Sequence, residues 1–312
     1  MPPRLTLPGS QRMDRPMQAA LLPDRGVVKV DGADARHFLN GLLTADIEAL
    51  TPEAPRFAAL LTPQGKILFD GIVAAVPPAD GTALFIDCPR ALAGDLVGRL
   101  NFYKLRAKVI VEDLSQTLGV LAAWGGTGST EYGLVYPDPR LPALGLRVML
   151  PPHLAEAVAR DLGATLVGAE AYEAHRIALG VPRGGIDFAY GDAFPHEADM
   201  DQLNGVDFDK GCYVGQEVVS RIEHRARARS RIVPVAYDEF APADGVPVMA
   251  GERAVGTMGS AARGRGLAML RLDRAGEALA AGAALSAGGI PIRLVKPDWA
   301  RFAFPGEAAV AE

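Results

Sequence analysis

The chain has 312 residues, 49% of them hydrophobic and 22% charged, which is apolar material for two or three compact units and too little charge for a disordered chain. Its net charge of -5 and pI near 5.6 argue against a generic nucleic-acid or membrane-surface binder, whose footprint is basic. The sequence holds no long apolar run and no apolar leader, so the expectation is a cytoplasmic protein without a membrane span.

Residues 1–24, with Arg4, Arg12 and Arg15 and several prolines, read as a flexible tail. Val27–Val30 is a β-rich run, and Asp31-Gly32-Ala33-Asp34 turns into a helix carrying Phe38, Leu39, Leu42 and Leu43. Asp46 lies just past that helix, where a carboxylate faces the negative end of the dipole, and by itself it is a solvated loop acid. Phe57–Leu61 and Ile67–Val76 form a hairpin around Thr62-Pro63-Gln64-Gly65-Lys66, and Ala83–Asp87 adds a third strand to an antiparallel meander. Leu92, Leu96, Leu100 and Tyr103 recur at helical spacing. Strands follow at Lys108–Glu112, Leu118–Trp124 and Gly145–Leu150, then helices at Pro152–Leu162 and Glu170–Leu179. Strand runs, helices and strands again describe an α+β fold.

Val181–Asp209 is a long polar stretch with little periodicity, the kind of connection that carries function. Beyond Arg231 five short strands separated by glycine turns suggest a small β-barrel. The resulting division is 25–230 for the α+β region and 231–312 for the barrel.

Chemistry concentrates in Lys210-Gly211-Cys212-Tyr213-Val214-Gly215-Gln216-Glu217. A free cysteine is commonly a small core residue, whereas a thiol between glycines, beside a lysine and ahead of a helix, is favoured as thiolate. Both readings stand on the residues alone. The only other cysteine is Cys88, no Cys-x-x-Cys occurs, and no two of the five histidines fall at helical ligand spacing, so neither a disulfide framework nor an intrinsic metal site is encoded. Arg221, Arg225, Arg227, Arg229 and Arg231 form either a solvated face or an anion site for a polycarboxylate or an RNA backbone.

The octapeptide resembles the signature of the YgfZ family, folate-binding relatives of the glycine-cleavage T protein that act in iron-sulfur enzyme maintenance. Phe38–Ile47, Thr62–Lys66, His175–Gly180, Phe194–Glu197 and Gly245–Asp273 resemble further family segments in the same order. Asp199-Met200 and Ala226 depart from the family pattern. The resemblance implies a three-lobed ring of two intertwined α+β lobes, one ferredoxin-like, and a barrel, built around tetrahydrofolate. It implies that Asp46 and Glu197 bind the folate head, with Asp199, Tyr213, Gln216 and Glu217 around it and Arg221 and Arg227 on its glutamate tail. Cys212, with Lys210, would be the working thiol or a transient cluster ligand. The implied role is a monomeric accessory protein, more a folate-binding factor than an enzyme. It would serve 4Fe-4S clusters in client enzymes, including tRNA-thiomethylating radical enzymes, through iron-sulfur client and assembly proteins. The alternatives are a folate-dependent aminomethyl or methyl transferase, which does not need Cys212, and an RNA-binding module on the arginines.

Overall fold

The computed structural model describes residues 16–76, 81–225 and 228–306. Two five-stranded sheets and a closed six-stranded barrel make three lobes. The first two lobes are intertwined from the start, because β1 (Gln18–Leu22) joins one sheet and β2 (Arg25–Asp31) the other. This corrects the expected tail to residue 24. Ala19 and Ala20 are fully buried, and β1 is zipped antiparallel against the later Val120–Trp124 segment. Gln-Ala-Ala-Leu-Leu, with no β-branched or aromatic residue, carries no local strand signal, so the partner strand decides. Residues 1–15 of that expected tail lie outside the described residues.

The chain continues through α1 (Ala35–Asn40), β3 (Arg56–Leu61), β4 (Ile67–Ala75), β5 (Leu84–Pro89), α2 (Ala93–Lys104) and β6 (Ile110–Asp113). The sheet order is β3-β4-β5-β2-β6, antiparallel throughout. Leu39 of α1 and Leu96 and Leu100 of α2 meet Val28, Val30 and Ile86 on one face. The other face, with Val27, Phe57 and Ile72, packs on the second sheet. Covering on both sides explains why β4 reads as a nearly continuous apolar run. The loop residues expected at 77–80 lie outside the described residues.

The second lobe is built from β7 (Gly119–Trp124), β8 (Leu134–Pro137), β9 (Leu146–Leu150), α3 (Ala155–Asp161) and β10 (Thr165–Leu166), in the order β10-β1-β7-β9-β8. α4 (Ala169–Ala178) follows and packs on β1 and on the barrel, so it ties the lobes together. After a long segment, α5 (Gln216–Arg225) leads into the barrel.

The barrel comprises β11 (Ser230–Ala236), β12 (Pro247–Ala250), β13 (Arg253–Ala262), β14 (Arg265–Arg271), α6 (Leu272–Ala280), β15 (Leu285–Ala287) and β16 (Ile290–Leu294). It closes in the order β11-β14-β13-β12-β15-β16. The sequence suggests five strands. The sixth is the three-residue β15, too short for a periodic signal, and α6 interrupts the strand series on a leucine-alanine face.

Candidate functional site

Two places collect functional side chains. The first is the octapeptide, which lies across the end of α1. The Lys210 ammonium donates to the Asn40, Leu43 and Ala45 carbonyls at 2.7, 2.7 and 2.8 Å. A helix leaves its last carbonyls without partners, and here a lysine some 170 residues away satisfies that of Asn40 together with two in the turn that follows. Thr44 completes the lock: its hydroxyl donates to Gly205 O at 2.6 Å and accepts from Ala59 N–H at 2.8 Å. Burial pushes Lys210 down to about 8, against the pull of Asp46, Asp207 and Glu48.

Gly215 makes the second attachment. Its φ is +83°, and a Cβ there would stand 2.6 Å from the Thr62 carbonyl in the Thr62–Lys66 turn. Only glycine permits that approach. Tyr213 is buried in the core between the two sheets, and Val214 packs against the α1–α2 core. Burial, reinforced by Asp207, raises the Tyr213 hydroxyl to about 12. Between these anchors Gly211 and Cys212 are exposed. Cys212 is thus a thiol carried outward on a rigidly held loop, while Cys88 is buried, its thiol pushed up to about 12 by burial.

This geometry changes the role of Lys210. All three ammonium donors are committed to carbonyls, so none is left for a thiolate. α5 begins at Gln216, four residues beyond Cys212, outside the reach of its first-turn dipole. Lys210 positions the loop and does not poise the sulfur.

The other residues expected around a folate head disperse. Asp46 is half-buried and its Oδ1 accepts from the Glu48 and Ala49 amides at 3.0 and 3.3 Å, a local turn cap. Glu197 accepts from the Phe194 amide at 2.9 Å and closes its own turn. Asp199 is fully buried, with φ +55°, 3.0 Å from an Arg231 nitrogen and with its Oδ2 unpartnered. Burial drives its carboxyl well above the ordinary range and outweighs Arg231. Gln216 accepts from the Tyr213 amide at 3.4 Å, while Glu217 and Arg221 are exposed. Arg227 lies outside the described residues. Among the described residues His196, Asp201 and Glu223 bring ligand atoms within 4.8 Å of one another. Arg231 already grips both Asp201 oxygens at 2.8 and 2.7 Å and Glu223 lies 3.1 Å from His196 Nε2, while His196 Nδ1 is buried without a partner among the described residues.

The second place is a cavity of about 280 Å³ between the lobes, walled by Arg25, Asp70, Arg140, Arg147, Tyr172 and Arg176. Beneath it lies a buried charge lattice. Asp87 accepts from Arg25 Nε and Arg147, both at 2.6 Å, and from Tyr136 at 3.2 Å. Asp138 accepts from Arg140 at 2.9 and 2.7 Å and from Arg147 at 2.9 Å. Burial would raise both carboxyls, but the guanidiniums overcome it and hold them low. Three arginines against two aspartates leave one positive charge, and Asp70 on the cavity wall answers it. Asp70 Oδ1 takes the Tyr190 hydroxyl, whose ionisation burial and Asp70 push far up. Asp70, Arg25, Arg147, Tyr172 and Tyr190 are absent from the sequence-based site. A lone aspartate within the apolar run Ile67–Val76 was the available signal.

With this geometry, comparison with known proteins is informative. The family model described as the CAF17 C-terminal beta-barrel domain matches residues 229–302. A protein from Mycosarcoma maydis, named iron-sulfur cluster assembly factor IBA57 homolog, mitochondrial, is 36% identical over 230 residues, covering 70% of this chain and 57% of its own length. The iron-sulfur cluster assembly factor IBA57, mitochondrial, of Mus musculus is 32% identical over 278 residues, covering 81% and 77%. This chain thus spans little more than half of the fungal relative. The crystal structure of glycine cleavage system aminomethyltransferase T from Bartonella henselae superposes with a TM-score of 0.72 at 15% identity, covering 93% of this chain and 88% of that one. The α+β, T-protein-like architecture is therefore the fold. The cytoplasmic expectation is overturned, because the relatives are named as mitochondrial. It rested on the lack of an apolar leader, and mitochondrial transit peptides are amphipathic and arginine-rich rather than apolar.

Proposed function

Because the chain belongs to the CAF17/IBA57 family of iron-sulfur cluster assembly factors, we propose that it assists cluster assembly in client enzymes through Cys212. The observation that carries this reading is an exposed thiol on a loop held at Lys210 and Gly215. Thiolate is a soft ligand for iron, and an iron-sulfur cluster needs about four such ligands. One cysteine cannot supply them, so Cys212 contributes a single ligand to a cluster whose other ligands come from a partner protein. The cluster is cargo. Holding the loop fixes where the sulfur stands, so a partner's cluster meets it without ordering a mobile segment first. In cells lacking their own copy, Cys212→Ala abolishes recovery of 4Fe-4S client activity. Full recovery by that variant sinks the reading.

The cavity between the lobes is the proposed folate site, in place of Asp46 and Glu197. Its volume suits the pterin head of a reduced folate and is below the range of sites that enclose a whole drug-sized ligand. The donor set also suits it. Among the described residues one Asp70 oxygen has no hydrogen-bond partner and suits the ring's N–H groups, and the arginine wall suits a carbonyl edge. Bound folate would supply a reduced pterin ring; the chain's residues hold and orient it and exclude water. Calorimetry with tetrahydrofolate is the test, and no heat from the wild-type protein refutes the site. The aminomethyl transferase alternative rests on the fold alone. It requires activity to survive Cys212→Ala and to be lost in Asp70→Asn.

A further inference from the structure

His196, Asp201 and Glu223 stand on the wall of a separate cavity of about 1030 Å³, between α5, α6 and the 301–306 segment. His196 is 2% exposed, and its carbonyl accepts from Arg231 at 2.9 Å, so the ring is held in place. A neutral imidazole carries one N–H and one bare nitrogen. Here Nε2 faces Glu223 Oε2 at 3.1 Å, and Nδ1 is buried without a partner among the described residues. A carboxylate has nothing to donate, so in either tautomer the imidazole lone pair receives no hydrogen bond. With the proton on Nδ1, two acceptors face each other across 3.1 Å, an arrangement that calls for a cation between them.

The distances and charges suit a metal ion. Nitrogen and oxygen ligands lie about 2.0–2.2 Å from zinc, which puts neighbouring ligand atoms about 3.0–3.5 Å from one another. The His196–Glu223 pair already has that spacing, and the Asp201 ligand atom lies within 4.8 Å of both, about 1 Å beyond it. Arg231 holds one edge of the Asp201 carboxylate, and each oxygen keeps a second lone pair. Ligating carboxylates are commonly hydrogen-bonded from behind in this way. Arg231 against Asp201 and Glu223 leaves one negative charge, since burial favours the neutral form of Asp199. The other charges on the cavity wall, Arg229 and Arg301 against Asp273 and Glu277, cancel. His196 and Glu223 are 27 residues apart, on the long polar segment and on α5, so no ligand spacing in the chain announces the set.

We propose that His196, Glu223 and Asp201 form a binding site for a divalent first-row transition ion, Zn²⁺ foremost, with the cavity side of the ion left to water. The imidazole selects against Ca²⁺ and Mg²⁺, which take oxygen ligands, and the absence of a thiolate from the trio selects against Cu⁺. Among ions that accept this nitrogen and oxygen set, Zn²⁺ binds more tightly than Fe²⁺ or Mn²⁺. The ion clamps α5, the helix that runs from the Cys212 loop toward the barrel, to the 196–201 turn. The site goes beyond cluster ligation and does not depend on it.

The test is calorimetry of the full chain with zinc chloride, carried out on Cys212→Ser so that the exposed thiol does not compete for the metal. One Zn²⁺ binds per chain, and a hundredfold excess over Kd raises Tm by about 5 °C. Glu223→Gln and His196→Gln each weaken binding at least tenfold and lose the Tm shift. Glu223 is the arm least exposed to misfolding, its side chain being 40% exposed. Ca²⁺ binds at least tenfold more weakly than Zn²⁺. The proposal is overturned if Zn²⁺ shows no saturable binding, or if both glutamine variants bind it as tightly as their parent, which would place the ion elsewhere. Equal affinity for Ca²⁺ also overturns it, because the imidazole is then not a ligand.

Discussion

Lys210→Met separates two roles for the same lysine. The ammonium makes three hydrogen bonds, one to the last residue of α1 and two to the turn beyond it, at 2.7, 2.7 and 2.8 Å. Bonds from a charged donor contribute about 1.5–3 kcal/mol each, which sets a ceiling. The site is half-buried, so water regains the freed carbonyls and the cost of burying the ammonium disappears; the net loss is about 2–4 kcal/mol. At roughly 2 °C per kcal/mol for a chain of this size, Tm falls by about 4–8 °C. The companion assay is the rate of Cys212 alkylation by iodoacetamide near neutral pH. Cys88 does not interfere, being buried with its thiol raised to about 12. Since Lys210 spends its donors on carbonyls, the alkylation rate of the folded variant stays within about threefold of wild type. An unchanged Tm together with a tenfold slower alkylation would falsify the positioning role and restore Lys210 as the thiol's activator.

Further outcomes follow from the same geometry. Gly215→Ala forces a Cβ toward the Thr62 carbonyl at φ +83°, and urea unfolding records a loss of about 3 kcal/mol. Asp199→Asn tests the buried acid. Its folded pKa is raised, so the native state binds more protons than the unfolded state above about pH 4, and stability falls as pH rises from there. The asparagine variant loses that slope and gains Tm over wild type at pH 8 but not at pH 4; an equal offset at both refutes the protonated carboxyl. Asp70→Asn weakens tetrahydrofolate binding about tenfold by calorimetry, because the acceptor for the ring's N–H groups becomes partly a donor. Asp46→Ala leaves that affinity unchanged.

The octapeptide, the α5 helix and the change to short strands near Arg231 were legible because each carries a local signal: glycines around a thiol, helical spacing, turn residues. What was not legible depends on distant partners. Leu42 and Leu43 extend the apolar pattern of α1, yet the helix stops at Asn40, with its end held by Lys210 and by Asn40 Oδ1 accepting from Ile47. Asp46 and Glu197 sit beside motif residues in sequence and spend their carboxylates on neighbouring amides. The cavity wall is assembled from Arg25, Asp70, Arg147 and Tyr172, each on a different element, so no spacing in the chain announces it. Charged residues inside otherwise apolar strands were the one clue: Asp70 in β4, Asp87 in β5 and Arg147 in β9 all face buried partners or the cavity.

The central claim is that Cys212 supplies one ligand to a cluster shared with a partner. The direct measurement is visible circular dichroism of the protein mixed with a cluster-loaded carrier protein, comparing wild type with Cys212→Ser. The account predicts a new set of thiolate-to-iron bands that saturates at one cluster per chain and is absent in Cys212→Ser, whose Tm equals that of wild type. The same bands at the same intensity in Cys212→Ser would contradict it.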